Sequence, residues 1–298
     1  MFSRRHPYLF FMITMSITTF SFVVLISLIF KSGSKSSTFV SGEKVGIVEI
    51  TGVIIDSKSI IENIKTFRED DSVKAIVLRI DSPGGGVGPS QEIFHEVRKT
   101  AKQKKVITSM GAVAASGGYY IAAGSNGIMA NPGTITGSIG VIMGYTNFQE
   151  IFQKIGLIPV VIKSGEFKDM GSPVREMTTT EKKLLQGFVD QIHHQFVKDA
   201  SKGRSMDLQE MMSLADGRIF TGEEAKGLGL VDRLGNLEDA IEWAGRLGGI
   251  KGKISRIYPE EKGIDLLKEM MGSSVRQIFE NTFRSHITSG YLFQPGNG

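Results

Sequence analysis

The hydrophobic positions along the chain follow two patterns. Residues 8–30, YLFFMITMSITTFSFVVLISLIF, form one apolar stretch without charge or proline. From residue 45 onward, short β-branched apolar runs alternate with segments whose apolar residues recur at helical spacing. Strands that alternate with helices predict an α/β fold in which the strand pairing is mainly parallel.

The second pattern predicts individual elements of this body. Five apolar runs indicate buried strands, at residues 45–55, 74–81, 105–110, 127–131 and 159–164. Helical spacing indicates helices over residues 59–67, 89–102, from 179 onward and over 237–248. The third of these is the strongest, and Thr179 or Thr180 ahead of Glu181 is its expected cap. The segment 216–235 predicts a strand, a short capped helix and a glycine turn.

The apolar segment 8–30 is long enough to cross a membrane. As a helix its 23 residues span about 34 Å, against about 30 Å of hydrocarbon. A cleavable signal peptide has a shorter apolar core and a small-residue cleavage site, whereas this segment runs into KSGSKSS. We therefore expect an uncleaved anchor, preceded by cytoplasmic residues 1–7 and followed by a linker over residues 31–44. The flanking positive charges are nearly balanced and do not decide the orientation; the short tail and large body favour a body outside the cytoplasm.

Composition narrows the chemistry. The chain has no cysteine, which excludes disulfides, thiolate catalysis and cysteine-based metal sites. Its net charge of +4 is dispersed along the chain, so we expect no nucleic-acid partner. Glycine is enriched, with 36 of 298 residues, and this excess indicates tight turns and close backbone approaches.

Two glycine clusters lie where a predicted strand ends and a helix begins. DSPGGG occupies residues 81–86, and SGG occupies residues 116–118 after the small-residue run GAVAA. Unsatisfied N–H groups at such ends favour an anion. The clusters match no phosphate-binding motif, so an acyl-transfer oxyanion is the better candidate, with Ser116 as nucleophile.

A nucleophilic serine needs a base, and no histidine suits this role. His6 precedes the apolar segment, His95, His193 and His194 fall on predicted helices, and His286 lies in the weakly patterned tail. A lysine base needs a pKa lowered by about three units through burial. Lys163 and Lys168 follow a predicted strand in a loop that ends at a proline, and the residues alone do not choose between them. Glu166 and Asp169 would disfavour Lys168 if they shared its pocket.

The order of five motifs then identifies a resemblance. DSPGGGV, MGAVAASGGYYIA, GTITGSIGVI, IKSGEFKDMGSPVREMT and ADGRIFTGEEAKGLGLVDRLG follow one another between about Lys44 and Gly248. This pattern resembles the bacterial signal peptide peptidase A family of serine–lysine peptidases, in its single-repeat form. The resemblance implies a crotonase/ClpP-like α/β fold of repeated β-β-α units, preceded by one transmembrane helix.

The resemblance also implies roles for particular residues. Ser116 would be the nucleophile and Lys168 the general base, with Ser138 orienting the lysine. The backbone N–H groups of Gly84 and Gly117 would hold the oxyanion. No cofactor and no metal are implied.

Further expectations concern partners and location. The resemblance implies a homo-octameric ring in which lysine and serine meet across a subunit boundary. It implies a peptidase domain over residues 45–250, and residues 251–298 form a C-terminal segment expected to be partly mobile. Substrates would be signal-peptide remnants and other short apolar peptides, cleaved on the extracytoplasmic side of the bacterial cytoplasmic (inner) membrane.

Three other functions stay open on sequence grounds. A crotonase-type acyl-CoA enzyme uses similar oxyanion geometry, a scaffold of the same fold would lack catalysis, and a regulatory peptidase would act on folded partners. The anchor argues against the first, and retention of both Ser116 and Lys168 argues against the second. The apolar triplet within residues 290–298 suggests that the tail docks into the groove of its own chain.

Overall fold

The computed structural model describes residues 43–260 and 288–292, together with residues 8, 10–12 and 14–21 near the N-terminus. The N-terminal residues form a unit by themselves, helical and with exposed side chains. Among the described residues, no helix combines the length and the apolar character that a membrane crossing requires. Residues 22–30 of the predicted anchor and residues 31–42 of the predicted linker lie outside the described residues.

The body consists of strands and helices that alternate over much of its described length. The strands are β1 (Lys44–Thr51), β2 (Val73–Ser82), β3 (Gly84–Gly86), β4 (Lys105–Ala115), β5 (Gly127–Ala130), β6 (Ile135–Gly137), β7 (Ile142–Gly144), β8 (Ile219–Thr221), β9 (Arg233–Leu234), β10 (Ser255–Ile257) and β11 (Thr288–Leu292). The helices are α1 (Lys58–Glu69), α2 (Val87–Ala101), α3 (Gly117–Ala122), α4 (Gln149–Lys154), α5 (Thr179–Arg204), α6 (Leu208–Leu214), α7 (Gly222–Gly227) and α8 (Leu237–Leu247).

Two sheets organise these strands. The larger has eight strands, with the path β10-β1-β2-β4-β5-β9 and with β6 beside β4 and β8. All its pairs are parallel except β6 with β8. The smaller sheet has the order β3-β11-β7 and is antiparallel. The predicted α/β class with mainly parallel pairing is confirmed.

The large sheet is buried on both faces. On β2, Ala75 and Val77 pack with helix α8, while Ile76, Leu78 and Ile80 join the larger core on the opposite face. This alternation is the two-residue period of a strand with helices on both sides. Each fully buried aliphatic side chain contributes roughly 1.5–3 kcal/mol relative to an exposed one, so the two cores hold the central strands in fixed register.

The predicted strand over residues 159–164 is wrong. Residues 157–163 have no regular secondary structure, although their β-branched composition favours a strand. A strand needs a ladder partner for its N–H and C=O groups, and no strand of the described chain pairs with this segment. Its side chains are accordingly exposed, with Ile158 at 85% and Ile162 at 97%.

Helix α5 begins with a capping box, one residue earlier than predicted. The cap is Thr178: its Oγ1 accepts from the Glu181 N–H at 3.2 Å, and Glu181 Oε2 accepts from the Thr178 N–H at 2.8 Å. Glu181 is only 3% exposed and also accepts from the Arg175 guanidinium. The bonds from Arg175, and then from the Thr178 backbone, lower the pKa of Glu181 to about 2.

The capping box makes the free energy of unfolding depend on pH. Because the pKa of Glu181 falls from 4.5 to about 2 on folding, its stabilisation is complete above pH 4.5 and is lost as the pH falls toward 2. We expect Glu181→Gln to lower the free energy of unfolding at pH 7, and this difference from wild type to shrink as the pH drops. Urea unfolding at several pH values measures it. Glu242→Gln is the matched control, because Glu242 forms an exposed ion pair with Arg246 on a helix. An equal pH dependence in both variants would contradict the assignment.

Candidate active site

Three parallel strands bring the predicted nucleophile and its neighbours to one edge of the large sheet. Ser82 at the end of β2 pairs with Ala114 of β4, and Ala115 pairs with Gly137 of β6. The Ser116 N–H then donates to the Gly137 carbonyl at 2.9 Å. The carboxyl ends of parallel strands lie on the same side of the sheet. Ser116 therefore follows the end of β4 and Ser138 follows the end of β6, while the β3 glycines follow the end of β2.

Ser116 sits at a strained turn from strand to helix. It is 1% exposed and has φ 54° and ψ −117°, a conformation that costs a residue with a Cβ roughly 1–3 kcal/mol. It caps helix α3, and Gly117 is the first residue of that helix. An N–H at this position has no intrahelical acceptor. A serine on such a turn, with the next N–H beside it, is a recurring arrangement for acyl transfer.

The helix after Ser116 is anchored by its two tyrosines, which explains the sequence AASGGYY. Every residue of α3 is buried. The Tyr119 hydroxyl donates to the Leu230 carbonyl at 3.2 Å, and the Tyr120 hydroxyl donates to Asp199 Oδ2 at 2.5 Å. Burial raises the pKa of Tyr119, so its phenol stays a neutral donor. These contacts fix the helix whose first turn carries Gly117.

Strand β3 supplies a second set of backbone groups. Its N–H and C=O groups point to both edges of the strand, one toward Ile54 and the other away from it. Gly84 has φ 102°, its N–H donates to Ser82 Oγ at 3.1 Å, and its carbonyl accepts from the Ile54 N–H at 2.9 Å. The Gly86 N–H donates to the Ile54 carbonyl at 2.8 Å. Since alternate residues of a strand direct their backbone groups to opposite edges, the N–H and C=O of Gly85 point away from Ile54. Only glycine fits there, because a Cβ on Gly85 would lie 2.1 Å from the Ile54 oxygen.

A groove between β3 and β7 contains a segment of the chain itself. Strand β11 pairs antiparallel with β3 on one side, Tyr291 opposite Gly85, and with β7 on the other, Gly290 opposite Ile142. It also contacts helix α3, which Ser116 caps. The two edges therefore accept an extended polypeptide through its backbone, next to Ser116.

Ser138, like Ser116, has a positive φ. Its φ is 48°, it is 9% exposed, and its N–H donates to the Arg218 carbonyl at 2.8 Å. Two neighbouring serines with positive φ at one sheet edge indicate that both backbones are held in a strained conformation. The sequence motif drew attention to Ser138, but only the register places it beside Ser116.

The predicted base is not joined to these serines within one chain. Lys168 lies in a turned loop, its N–H donating to the Gly165 carbonyl at 3.2 Å, and its side chain is exposed. Within residues 43–260 its ammonium makes no hydrogen bond or ion pair to a side chain. Lys163, the alternative base, donates to Asp169 at 2.7 Å and to the Glu166 carbonyl at 2.8 Å.

Among the described residues, no histidine lies at this edge. His95 lies on α2, and His193 and His194 lie on α5, so none follows a strand end. The part of the chain that the structure describes contains no cluster of acidic residues and histidines suited to a metal ion. The geometry therefore offers a serine, backbone N–H groups and an extended-chain groove, which are the parts of a peptide acyl-transfer site other than its base.

Comparison with known proteins agrees with this geometry. The profile of Peptidase family S49 matches residues 98–251, and that of Clp protease matches residues 43–136. The second match covers the strands and glycines around Ser116 and supports a ClpP-like fold.

Individual relatives extend the match. A Synechocystis protein provisionally named a protease is 45% identical over 210 residues, covering 70% of this chain and 76% of its own. An Enterococcus faecium protein provisionally named a signal peptide peptidase is 39% identical, covering 68% of this chain and 63% of its own. The chloroplastic serine protease SPPA of Arabidopsis thaliana is 36% identical, covering 66% of this chain and 29% of its own.

The S49 profile covers 154 of 298 residues, just over half of the chain, and the Synechocystis relative is matched over three quarters of its length. The resemblance predicted from the five motifs is confirmed: this chain belongs to peptidase family S49, the family of the signal peptide peptidase SppA.

Proposed function

We propose that this protein is a membrane-anchored serine endopeptidase that uses Ser116 and Lys168 to degrade cleaved signal peptides and other short apolar peptides. The observation that carries the proposal is the strand β11 in the groove between β3 and β7. A substrate added as a strand is recognised mainly through main-chain hydrogen bonds. Such a groove suits peptides of varied sequence, as signal-peptide remnants are.

In the proposed reaction, a neutral Lys168 amine removes the Ser116 hydroxyl proton and the oxygen attacks the peptide carbonyl. Gly117 and a β3 glycine donate N–H bonds to the oxyanion that forms. Lys168 then protonates the leaving amine, and water hydrolyses the acyl-enzyme with the lysine as base. Ser138, beside Ser116, would orient the lysine.

Gly84 is the β3 donor implied by family resemblance. In the structure its N–H already has an acceptor in Ser82 Oγ, so it would have to exchange that bond for the oxyanion. The Gly85 backbone faces the groove, where it is the register partner of Tyr291, so a substrate that displaced β11 would find its N–H available. Either donor leaves the chemistry of the proposal unchanged, since both are backbone N–H groups on one strand.

Assembly into a homo-octameric ring would bring the lysine of one copy to the serine of the next. Two features support this. Lys168 is exposed and unpaired within residues 43–260, and a run of exposed apolar side chains precedes it: Ile155, Leu157, Ile158, Val160, Val161 and Ile162. A contiguous apolar surface of this kind is typical of a protein–protein interface.

The membrane anchor remains part of the proposal on sequence grounds. Residues 8–30 carry no charge over a length that spans a bilayer. Such an anchor would hold the body beside the membrane, where the groove would have access to apolar peptides. We place the peptidase body on the extracytoplasmic side. An acyl-CoA enzyme is the second candidate, but a strand-shaped groove fits a peptide better than a thioester.

Peptide hydrolysis tests the dyad directly. We expect Ser116→Ala and Lys168→Ala each to lower kcat on a quenched apolar peptide by at least roughly 1,000-fold, because nucleophile and base act as one unit. Lys163→Ala is the matched control and should keep more than about a tenth of the wild-type rate, because Arg175 still holds Asp169 when Lys163 is removed. Full activity in either dyad variant would exclude the assignment, and melting curves confirm that each variant is folded.

Removal of β11 tests the groove. A segment that occupies the two edges competes with substrate, so deletion of residues 288–298 is expected to lower KM for short peptides while leaving kcat within about twofold. A synthetic peptide TSGYL added in trans should inhibit the truncated protein competitively. An unchanged KM together with no inhibition would show that peptides bind elsewhere.

Mixed assemblies test where the lysine comes from. If the dyad forms across a boundary, equal amounts of Ser116→Ala and Lys168→Ala subunits, unfolded and reassembled together, should regain roughly a quarter of wild-type activity, because each site needs one particular variant on each side. A dyad within one chain would regain none. Ile162→Asp, which charges the exposed apolar run, should prevent both assembly and rescue, as light scattering would show.

A further inference from the structure

The loop that carries Lys168 is tied to helix α5 by a chain of four charged side chains. In order, the chain runs Lys163–Asp169–Arg175–Glu181. Lys163 and Asp169 flank Lys168 on either side, so both ends of the turn around the predicted base are held. Glu181, the last member, is the buried capping residue of α5.

Arg175 is the centre of this chain. Its Nε donates to Asp169 Oδ2 at 2.9 Å and its Nη2 to the Asp169 carbonyl at 3.1 Å. The same guanidinium donates from Nη2 to Glu181 Oε1 at 2.5 Å and from Nη1 to Glu181 Oε2 at 2.9 Å. With the Glu176 carbonyl, which accepts from Nη1 at 2.9 Å, the guanidinium bonds two carboxylates and two carbonyls at once, and a lysine cannot reproduce this planar fork.

Asp169 is fully engaged by this arrangement. Oδ2 accepts from Arg175 and Oδ1 accepts from Lys163 at 2.7 Å, so both carboxylate oxygens already have cationic partners. These bonds, that from Arg175 first, hold the pKa of Asp169 well below its usual range. The carboxylate next in sequence to Lys168 is therefore directed to other cations.

We propose that Arg175 is a positioning residue for the lysine base: its fork fixes the Lys168 loop on helix α5 and keeps the Asp169 carboxylate from pairing with the Lys168 ammonium. This inference rests on the proposed dyad and adds a residue outside it. A general base must be deprotonated and in reach of its proton. An adjacent free carboxylate would oppose the first condition, and a loosened loop would oppose the second.

Several charged groups surround Lys168 in sequence and at the start of α5. Those on the loop are Lys163, Glu166, Asp169, Arg175 and Glu176, and the helix adds Glu181, Lys182 and Lys183. Of the carboxylates, Asp169 is bonded on both oxygens and Glu181 is buried against Arg175. Loss of the guanidinium would free Asp169 Oδ2, because Lys163 bonds only Oδ1.

The test is a pH–rate profile of the full-length protein on a short apolar peptide. We expect Arg175→Gln to lower kcat by roughly 10–100-fold with little change in KM, because the base is misplaced. The acid limb of the kcat profile should also move up by about one pH unit, because the freed Asp169 favours the ammonium form of the lysine. Arg175→Lys should lower kcat without moving that limb, since it keeps a charge but loses the fork.

A double variant separates the two effects. Arg175→Gln with Asp169→Asn should return the acid limb to its wild-type position while kcat stays low, a result that a merely structural role would not give. Arg246→Gln, which removes an exposed cation paired with Glu242, should leave both quantities unchanged. If Arg175→Gln does not fold, Arg175→Lys and Asp169→Asn carry the test through kcat.

The outcomes separate this inference from the proposed function. Full activity in Lys168→Ala would exclude the proposed dyad itself. Lys168→Ala without activity, beside a folded Arg175→Gln whose kcat is within twofold of wild type and whose acid limb does not move, would overturn only the role of Arg175. A low kcat in Arg175→Lys, with Arg246→Gln normal, supports the role.

Discussion

The structure around the candidate site depends on the parallel register of β2, β4 and β6. That register places Ser82, Ser116 and Ser138 at one edge, where three strands end together. Peptide groups beyond a strand end have lost their ladder partners and must find others. Some bond within the protein, as the Ser116 N–H does with Gly137, and the N–H of Gly117 is left at a helix start. The same constraint that builds the sheet thus produces the donors that acyl transfer needs.

Strain at this edge is supported by rigid surroundings. Ser116 and Ser138 both have positive φ, at roughly 1–3 kcal/mol each, and such conformations persist only where neighbours leave no alternative. The buried tyrosines of α3 supply that restraint on one side of Ser116, and the pairing of β4 with β6 supplies it on the other. A nucleophile held in this way loses little entropy on reaching the transition state.

Sequence patterns predicted the central strands, the main helices and the family, because two-residue and helical periods are imposed by burial in a single chain. They failed at residues 159–164, where β-branched residues suggested a strand but no ladder partner exists in the described chain. They also could not choose among the three glycines of β3. Which N–H faces the groove depends on Ile54, a residue about thirty positions earlier, and local sequence carries no signal for that pairing.

The two halves of the proposed dyad have opposite environments, and this contrast has a physical consequence. Ser116 is 1% exposed on a rigid sheet edge, whereas Lys168 lies on an exposed loop that is held to α5 mainly by charges. Transfer to a low-dielectric site disfavours the charged form of a lysine, and a general base must be uncharged. The exposed apolar run ahead of the loop is the surface that a second copy would cover. Under the proposed mechanism, the contact that buries Ile158 and Ile162 would also remove water from Lys168, so that assembly and activation of the base would be one event.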